Sequence, residues 1–339
     1  MASTLGFRRA IVGIDIGTDT VKAVELGHAR SGWCLRSAAE TLVATGDGAV
    51  DGESDPVVVA DAVRRTLLTL GMKRARVNVA LSGHAVIVKR LTLPAMSQVE
   101  LAEAIRWEAE RCIPFDLADV QLDFQVVAGS GASGNTRTVL LVAARKDRVE
   151  DRLSLIAQAG HEPAVLDVEA FALANAYRMN YPDRADALAA LVHVGRSATL
   201  VCVLEQGQLV FTRDFAMGGR LHAEALQREA SHLPREVTRD QAASILRDVS
   251  TQCVLEIRKT IDFYRANAPI ETMSRVVLSG GSHQAEGLRE LLAAEFSAPV
   301  DVFDPFRRVV RPKKVHGNAP VGPAYAVAVG LAMRRPGDR

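Results

Sequence analysis

Alternating apolar and polar positions mark three consecutive strands near the start of the chain. The pattern predicts strands over residues 11–16, 21–26 and 33–43, separated by short polar turns. This spacing predicts a meander. Apolar positions then recur with helical spacing over residues 57–70 and with strand spacing over residues 77–81. Because helices and strands keep alternating further along, the pattern predicts the α/β class.

The second half of the chain repeats the opening pattern. Strands are predicted over residues 189–194, 198–204 and 209–215, and the segment 192–196 matches 14–18 as apolar, polar, apolar, glycine, polar. The other predicted elements are helices over 148–159, 169–178, 220–266, 286–296 and 322–333 and strands over 162–166 and 275–278. Such an internal repeat predicts two lobes of one architecture.

Residues 84–147 depart from this alternation. They predict a strand, a helix and a hairpin that pairs residues 121–127 with 136–143. The helix begins at a capping box formed by Ser97 and Glu100. We interpret this block as an insert into the first lobe.

The length and net charge of the chain limit the kinds of fold and function that it can have. A chain of 339 residues is longer than one hydrophobic core usually supports, which favours two lobes. The net charge of +1 gives no global reason to bind nucleic acid or an anionic membrane. The four cysteines have no metal-ligand spacing, so we expect reduced thiols in a cytosolic protein. We also expect no signal peptide and no direct membrane insertion, so that any attachment to a membrane runs through a partner.

Two common nucleotide motifs do not apply. The sequence has no Walker A motif, and its single GxGxxG match, residues 129–134, falls between two predicted strands rather than between a strand and a helix. We interpret that match as a hairpin loop.

The turn after the first strand is the first candidate site. Asp15, Gly17 and Thr18 end one strand and lead into the next, where backbone N–H groups and hydroxyls can face phosphate oxygens and Asp15 can hold Mg²⁺ through water. Asp19 follows in the same turn, and Lys22 can add positive charge. The alternative interpretation is an ordinary hairpin turn, in which Asp and Gly are common.

A second candidate turn joins a strand to a helix near residue 280. Gly280 and Gly281, followed by Ser282, permit a close approach of the backbone to a base or a phosphate. A third glycine turn, at Gly195, belongs to the repeated segment 192–196. The order of these three turns over two similar lobes favours nucleotide binding more than any one turn does.

These turns resemble those of the superfamily that contains actin, sugar kinases, chaperone ATPases and FtsA. Further segments resemble the PilM family of the type IV pilus inner-membrane platform, and they cover almost the whole chain. They are Gly13–Gly17, Leu93–Ser97, Trp107–Glu110, Ile113–Phe115, Asp123–Gln125, Leu166–Leu173, Phe211–Asp214, Gly218–Gly219 and Gly330–Ala332. The resemblance implies a two-lobed actin-like (ribonuclease H-like) ATPase fold with a small inserted α+β subdomain.

The resemblance also implies ATP and Mg²⁺ in the cleft between the lobes. Asp15, Gly17 and Thr18 match the first phosphate turn, Gly195 with Arg196 the second, and Gly280, Gly281 and Ser282 the adenosine motif. Glu169 matches the position that orients the attacking water in related ATPases, so it is the catalytic candidate. Its alternative is a solvated carboxylate at a helix start.

One position departs from the family pattern. His193 stands where the family has an aspartate before the second phosphate turn. A neutral imidazole replaces a carboxylate poorly around magnesium, so we expect weak or absent hydrolysis, with Arg196 supplying charge for binding. The alternative for His193 is a buried, hydrogen-bonded histidine of the core.

The insert is the implied partner surface. In the family, a groove between the first lobe and the insert takes the N-terminal cytoplasmic peptide of PilN, from the PilN/PilO inner-membrane complex. The resemblance therefore implies a cytoplasmic protein, peripheral at the inner membrane, and we also consider contacts with pilus motor ATPases and self-association. Trp107, Ile113 and Phe115 are candidates for the peptide groove. Alternatively they form the insert's own core, which we favour for Trp107.

The expected organisation has five parts. They are the first lobe over 1–83 and 148–187, the insert over 84–147, the second lobe over 188–316 with a helical subdomain at about 220–270, and a returning helix over 317–339. Besides a nucleotide-responsive adaptor, three functions remain open: an active ATPase or small-molecule kinase, an FtsA-like membrane filament protein, and a nucleotide-free scaffold.

Overall fold

The structure of the chain is a computed structural model. The structure describes residues 11–30, 32–44, 55–127, 135–182, 188–232, 238–266, 272–312, 315–318 and 322–338. The GxGxxG match at residues 129–134 lies outside these ranges. The strands are β1 Ile11–Ile16, β2 Thr20–Ala29, β3 Gly32–Leu42, β4 Arg76–Leu81, β5 Val86–Pro94, β6 Val120–Val126, β7 Thr136–Arg145, β8 Glu162–Val168, β9 Leu188–Val194, β10 Thr199–Glu205, β11 Gln208–Phe215, β12 Arg275–Ser279 and β13 Val300–Val302. The α-helices are α1 Pro56–Thr69, α2 Gln98–Cys112, α3 Lys146–Gln158, α4 Glu169–Asn180, α5 Gly219–His232, α6 Arg239–Arg265, α7 Leu288–Phe296 and α8 Ala326–Met333.

Two five-stranded sheets share one pattern. The first has the order β3-β2-β1-β4-β8 and the second β11-β10-β9-β12-β13. In each sheet an antiparallel meander is extended by two parallel strands. The predicted meanders and their internal repeat are confirmed. The short strand β13 was not predicted.

The insert is a separate three-stranded sheet of order β5-β7-β6, which lies in the chain between β4 and β8. Helix α2 buries Leu101, Ile105 and Ala109 against this sheet. The capping box is confirmed: the Ser97 N–H donates to Glu100 Oε2 at 2.8 Å, and the Glu100 N–H donates to Ser97 Oγ at 3.4 Å.

Helices α4 and α8 pack between the two large sheets. The largest core cluster contains residues of both helices and of both sheets, such as Leu35, Tyr177, Leu191 and Val329. A Cβ added to Gly330 of α8 would lie 1.8 Å from the Ala172 carbonyl oxygen of α4. A Cβ on Gly13 of β1 would likewise lie 2.3 Å from the Ala328 carbonyl oxygen. The helices therefore meet their neighbours backbone to backbone.

A buried asparagine holds the end of α8. The side-chain amide of Asn78, on β4, donates to the carbonyl oxygens of Leu331 at 2.8 Å and Arg334 at 2.9 Å. The Leu331 carbonyl also accepts the Arg334 N–H at 3.1 Å, and the Arg334 carbonyl accepts Arg335 Nη1 at 2.8 Å. Asn78 adds a buried donor to both carbonyls at the end of the helix.

Smaller differences from the predictions have local causes. Helix α7 begins two residues after the predicted start, because Gly287 adopts a left-handed φ of 70°. A 3₁₀ turn at Pro323–Tyr325 precedes α8. All four cysteines are free thiols; Cys202 and Cys253 are buried and the other two are half-buried. Within the described ranges, no helix has the length and apolar character that crossing a membrane requires.

Candidate functional site

A cavity of about 540 Å³ lies where the turns of the two large sheets face each other. One wall is the turn after β1, where the Gly17 N–H donates to the Thr20 carbonyl at 3.0 Å. The other is the turn after β9, where the Gly195 N–H donates to the Ala198 carbonyl at 2.9 Å. The two turns thus close with the same hydrogen bond, as their sequence match predicts.

Most of the predicted ligand residues line this cavity. Those brought together are Asp15, Gly17, Thr18, Asp19, Lys22, Glu169, Gly195, Arg196, Gly281 and Ser282. Gly280 is not among the lining residues. It has a φ of 93°, and a Cβ there would lie 2.2 Å from the Val194 carbonyl oxygen. Gly280 therefore allows its turn to pack against β9 rather than facing the cavity.

Asp15 faces a compensating cation on the neighbouring strand. It is paired in register with Lys22, whose Nζ donates to Thr20 Oγ1 at 2.5 Å. Burial raises the pKa of Asp15, and the charges of Lys22 and Arg152 oppose that rise. Arg152, on α3, was not predicted, because only the fold brings this helix beneath the turn.

Glu169 occupies the first position of α4, between the cavity and the insert. Burial is the main cause that raises its pKa to about 7, and the carboxylates of Asp15 and Asp214 add to the effect. A hydrogen bond with Ser82 and the charge of Arg152 act in the opposite direction. Glu169 is half-buried, so it differs from a fully solvated carboxylate, and its catalytic role stays a prediction. A carboxyl group with this pKa can accept or release a proton near neutral pH.

His193 is a buried, hydrogen-bonded side chain at the end of β9. Its Nδ1 lies 2.9 Å from Ser279 Oγ on the adjacent strand β12. Burial, and then the charges of Lys22 and His283, lower its pKa to about 3. The imidazole is thus neutral at physiological pH. It is buried and hydrogen-bonded, as the alternative for His193 predicts, and it also lines the cavity.

An ion pair crosses the mouth of the cavity. Arg196 Nε, in the second-lobe turn, lies 2.8 Å from Asp19 Oδ2 in the first-lobe turn. The Arg220 N–H donates to the Arg196 carbonyl at 2.8 Å and fixes the loop from behind. Both charged side chains of the pair are partly exposed, so they can exchange partners.

Two further carboxylates line the cavity without having been assigned a role from the sequence. Glu40, on β3, accepts a hydrogen bond from the Tyr325 hydroxyl at 3.0 Å. Asp214, on β11, belongs to a segment quoted for the family resemblance, but a short motif does not show which side chain faces a cleft. With these, the described residues that line the cavity include five carboxyl groups, the two cations Lys22 and Arg196, and the neutral His193.

A groove of about 750 Å³ adjoins the cavity. Its walls are the edge strand β5 of the insert, the edge strand β11 of the second sheet, and the start of α4. Its lining is largely apolar and includes Val88, Phe211 and Phe263. The groove shares five residues with the cavity, namely Ser82, Gly83, Glu169, Leu200 and Asp214.

The three residues predicted for a peptide groove lie in different places. Phe115 lines the groove and is 37% exposed. Ile113 is buried in the core of the insert, so it does not present a contact surface. Trp107 is 71% exposed and does not line the groove. The core interpretation favoured for Trp107 is wrong, because α2 turns the face of Ile105 inward and position 107 falls on the opposite side.

The donor set fits a metal ion poorly. Among the residues that the structure describes, no group of three or more His, Cys, Asp or Glu side chains could hold a metal ion. Asp15 is the expected magnesium residue, but the position opposite it on the second lobe is the neutral His193.

Comparison with known proteins agrees with this architecture. A sequence model of the family described as type IV pilus assembly protein PilM matches residues 13–336. A solved structure titled as the PilM-PilN type IV pilus biogenesis complex is 26% identical, with a TM-score of 0.80, and the match covers 95% of this chain and 97% of that chain. Ethanolamine utilization protein EutJ from Carboxydothermus hydrogenoformans is 17% identical, with a TM-score of 0.52 and coverage of 95% and 88%. MreB5 of Spiroplasma citri, titled as bound to AMPPNP, is 12% identical, with a TM-score of 0.52 and coverage of 95% of both chains. The last two support the actin-like fold alone.

Proposed function

The chain belongs to the PilM family of type IV pilus assembly proteins, and from this premise we propose that it is an actin-like adaptor. It binds the N-terminal cytoplasmic peptide of PilN in the groove beside the insert and holds ATP in the cavity between the lobes. The observation that carries this proposal is the position of the groove. Because its walls belong to the insert and to both large sheets, an occupant there contacts all three at once.

The groove suits an extended peptide. Strands β5 and β11 are both at the edge of a sheet, so each has backbone N–H and C=O groups available for an added strand. Phe115 and Phe263, which are 37% and 57% exposed, provide apolar contacts. Support for PilN as the occupant comes from the solved complex whose title names both proteins. We place the adaptor in the cytoplasm, attached to the inner membrane through PilN.

ATP suits the cavity. The two matching turns present backbone N–H groups, and Lys22 and Arg196 supply positive charge on opposite walls. Hydrolysis is weak or absent in this proposal, because the second-lobe carboxylate is replaced by a neutral histidine. Glu169 remains the group best placed to accept a proton from water. The Mg²⁺ expected at Asp15 fits the donor set less well than ATP fits the turns.

Peptide binding tests the adaptor role. We expect a synthetic peptide of the first residues of the cognate PilN to bind the purified chain in calorimetry. Phe115→Ala and Phe263→Ala should each weaken binding about 10-fold, since truncating an aromatic contact costs about 1.4 kcal/mol or more. Trp107→Ala is the matched control, because this exposed aromatic residue lies on the insert outside the groove. No binding by the unmodified chain, or equal losses in all three variants, contradicts the proposal.

A further inference from the structure

The second-lobe turn carries cationic and neutral groups where a metal ion needs a carboxylate. Mg²⁺ requires hard oxygen ligands in octahedral geometry, usually one or two carboxylates together with phosphate oxygens and water. His193 keeps one ring nitrogen on Ser279. Arg196 follows two residues after it and brings a permanent positive charge to the cavity. This turn therefore offers a metal ion no carboxylate ligand.

Most of the first-lobe carboxylates that face this turn already have partners. Asp19 is paired with Arg196, and Glu40 accepts the Tyr325 hydroxyl. Asp15 stands in register with Lys22. Asp214, on β11 opposite Leu200, lies at the wall that the cavity shares with the groove. No ligand set for a metal ion is thus preassembled between the two turns in the described part of the chain.

From this arrangement we infer that the protein binds its nucleotide without a metal ion, with the guanidinium of Arg196 in the place of the cation. This inference rests on the proposed nucleotide function. When a nucleotide enters, Arg196 exchanges Asp19 for phosphate oxygens, which its planar group contacts through two parallel N–H donors. Lys22 neutralises charge from the opposite wall. The ligand is the free anion of a nucleoside diphosphate or triphosphate.

Equilibrium binding of ATP in excess EDTA and in excess MgCl₂ tests the inference. We expect the two dissociation constants of the unmodified chain to agree within about 3-fold, which corresponds to less than 1 kcal/mol. Arg196→Ala should weaken binding in EDTA about 10-fold or more, the scale of one charge-assisted hydrogen bond. Arg220→Ala is the matched control. Arg220 is as exposed as Arg196 and lies in the adjacent segment, but it pairs with Glu224 and does not line the cavity.

Restoring the carboxylate provides the converse test. His193→Asp should make binding depend on the metal, with affinity at least about 10-fold higher in MgCl₂ than in EDTA. A thermal melt of each variant shows whether it is folded, and Arg196→Gln replaces Arg196→Ala if the latter does not fold.

The outcomes separate the two proposals. Binding in MgCl₂ but not in EDTA by the unmodified chain overturns the metal-free inference and leaves the nucleotide function standing. No binding in either buffer overturns both. Equal affinities of Arg196→Ala and the unmodified chain in EDTA overturn the role of Arg196.

Discussion

The environment of Glu169 depends on both the cavity and the groove. It lies at the wall between the cavity and the groove, close enough to Asp15 and Asp214 for their charges to act on it. Anything that enters either space changes its hydration and the charges around it. We therefore expect the protonation of Glu169 to change when a ligand binds on either side.

This environment predicts a pH dependence of stability. The folded-state pKa of about 7 exceeds the ordinary value of 4.5, so the folded state binds more protons than the unfolded state between these values. Stability contributed by Glu169 therefore falls as the pH rises from about 4.5 to 7. Glu169→Gln removes the ionisation, and we expect its melting temperature to exceed that of the unmodified chain by about 2 °C or more at pH 8.

The control is the same comparison at pH 5, where Glu169 is protonated in the folded state. There the two melting temperatures should differ by less than at pH 8. An offset that is equal at both pH values would show that the substitution acts through packing alone. Differential scanning fluorimetry across this pH range provides the measurement.

For individual residues, residue type and local spacing predicted which residues form the turns. They did not predict which side chains pair with them. Asp15 and Gly17 could be recognised because one short segment contains the whole turn. The ion pair between Asp19 and Arg196 could not, because it joins segments that are far apart in the chain. Trp107 was misplaced for a related reason. An aromatic residue is usually buried, and only the rotation of α2 shows which face the sheet covers.

The sequence best predicted those helices and strands whose ends are marked by local sequence signals. Helix α2 begins at a capping box that is complete within four residues, so its start needed no tertiary information. Strand β13 has three residues and pairs in parallel with β12, and Arg289 of α7 donates to the Val300 carbonyl at 3.1 Å. The strand forms because it pairs with β12, and the local pattern of apolar residues gives no information about that pairing.

The capping of α8 by Asn78 gives a prediction for one element. Asn78→Leu removes two hydrogen bonds and leaves the carbonyls of Leu331 and Arg334 without that donor. We expect the free energy of unfolding in urea to fall by about 2 kcal/mol. The cost is large because Asn78 is fully buried.

Asn318→Ala serves as its control. Asn318 also makes two hydrogen bonds, with the N–H and carbonyl of Glu40, but it is exposed to solvent. Water can replace its side chain, so we expect a loss below about 1 kcal/mol. Equal losses for the two variants would mean that burial does not decide the cost of losing these hydrogen bonds.

The internal repeat of the sequence predicted two lobes. Because the cavity and the groove share a wall, we expect binding in one to affect binding in the other. If ATP changes the affinity for the PilN peptide by some factor, the peptide must change the affinity for ATP by the same factor. We expect that factor to be about 5-fold or more, because residues of the shared wall contact both spaces. Calorimetric titrations of each ligand, with and without saturation by the other, measure both factors.

Glu169→Gln gives the coupling a sharper test. If the shared wall carries the effect, this substitution should reduce both factors together. Two factors equal to one in the unmodified chain would show that the cavity and the groove are independent. The sequence could not indicate this coupling, since none of its local patterns shows that two ligand sites have a wall in common.

The backbone contacts of Gly13 and Gly330 have a genetic consequence. At most packed positions, a harmful substitution can be offset by a complementary change in a neighbouring side chain. Here the neighbours are the carbonyl groups of Ala328 and Ala172, which every amino acid possesses in the same form. A larger residue at either glycine therefore has no partner whose replacement would make room. Suppressor mutations should arise at distant positions that shift α8 as a whole, and a screen for revertants should recover the original glycine most often.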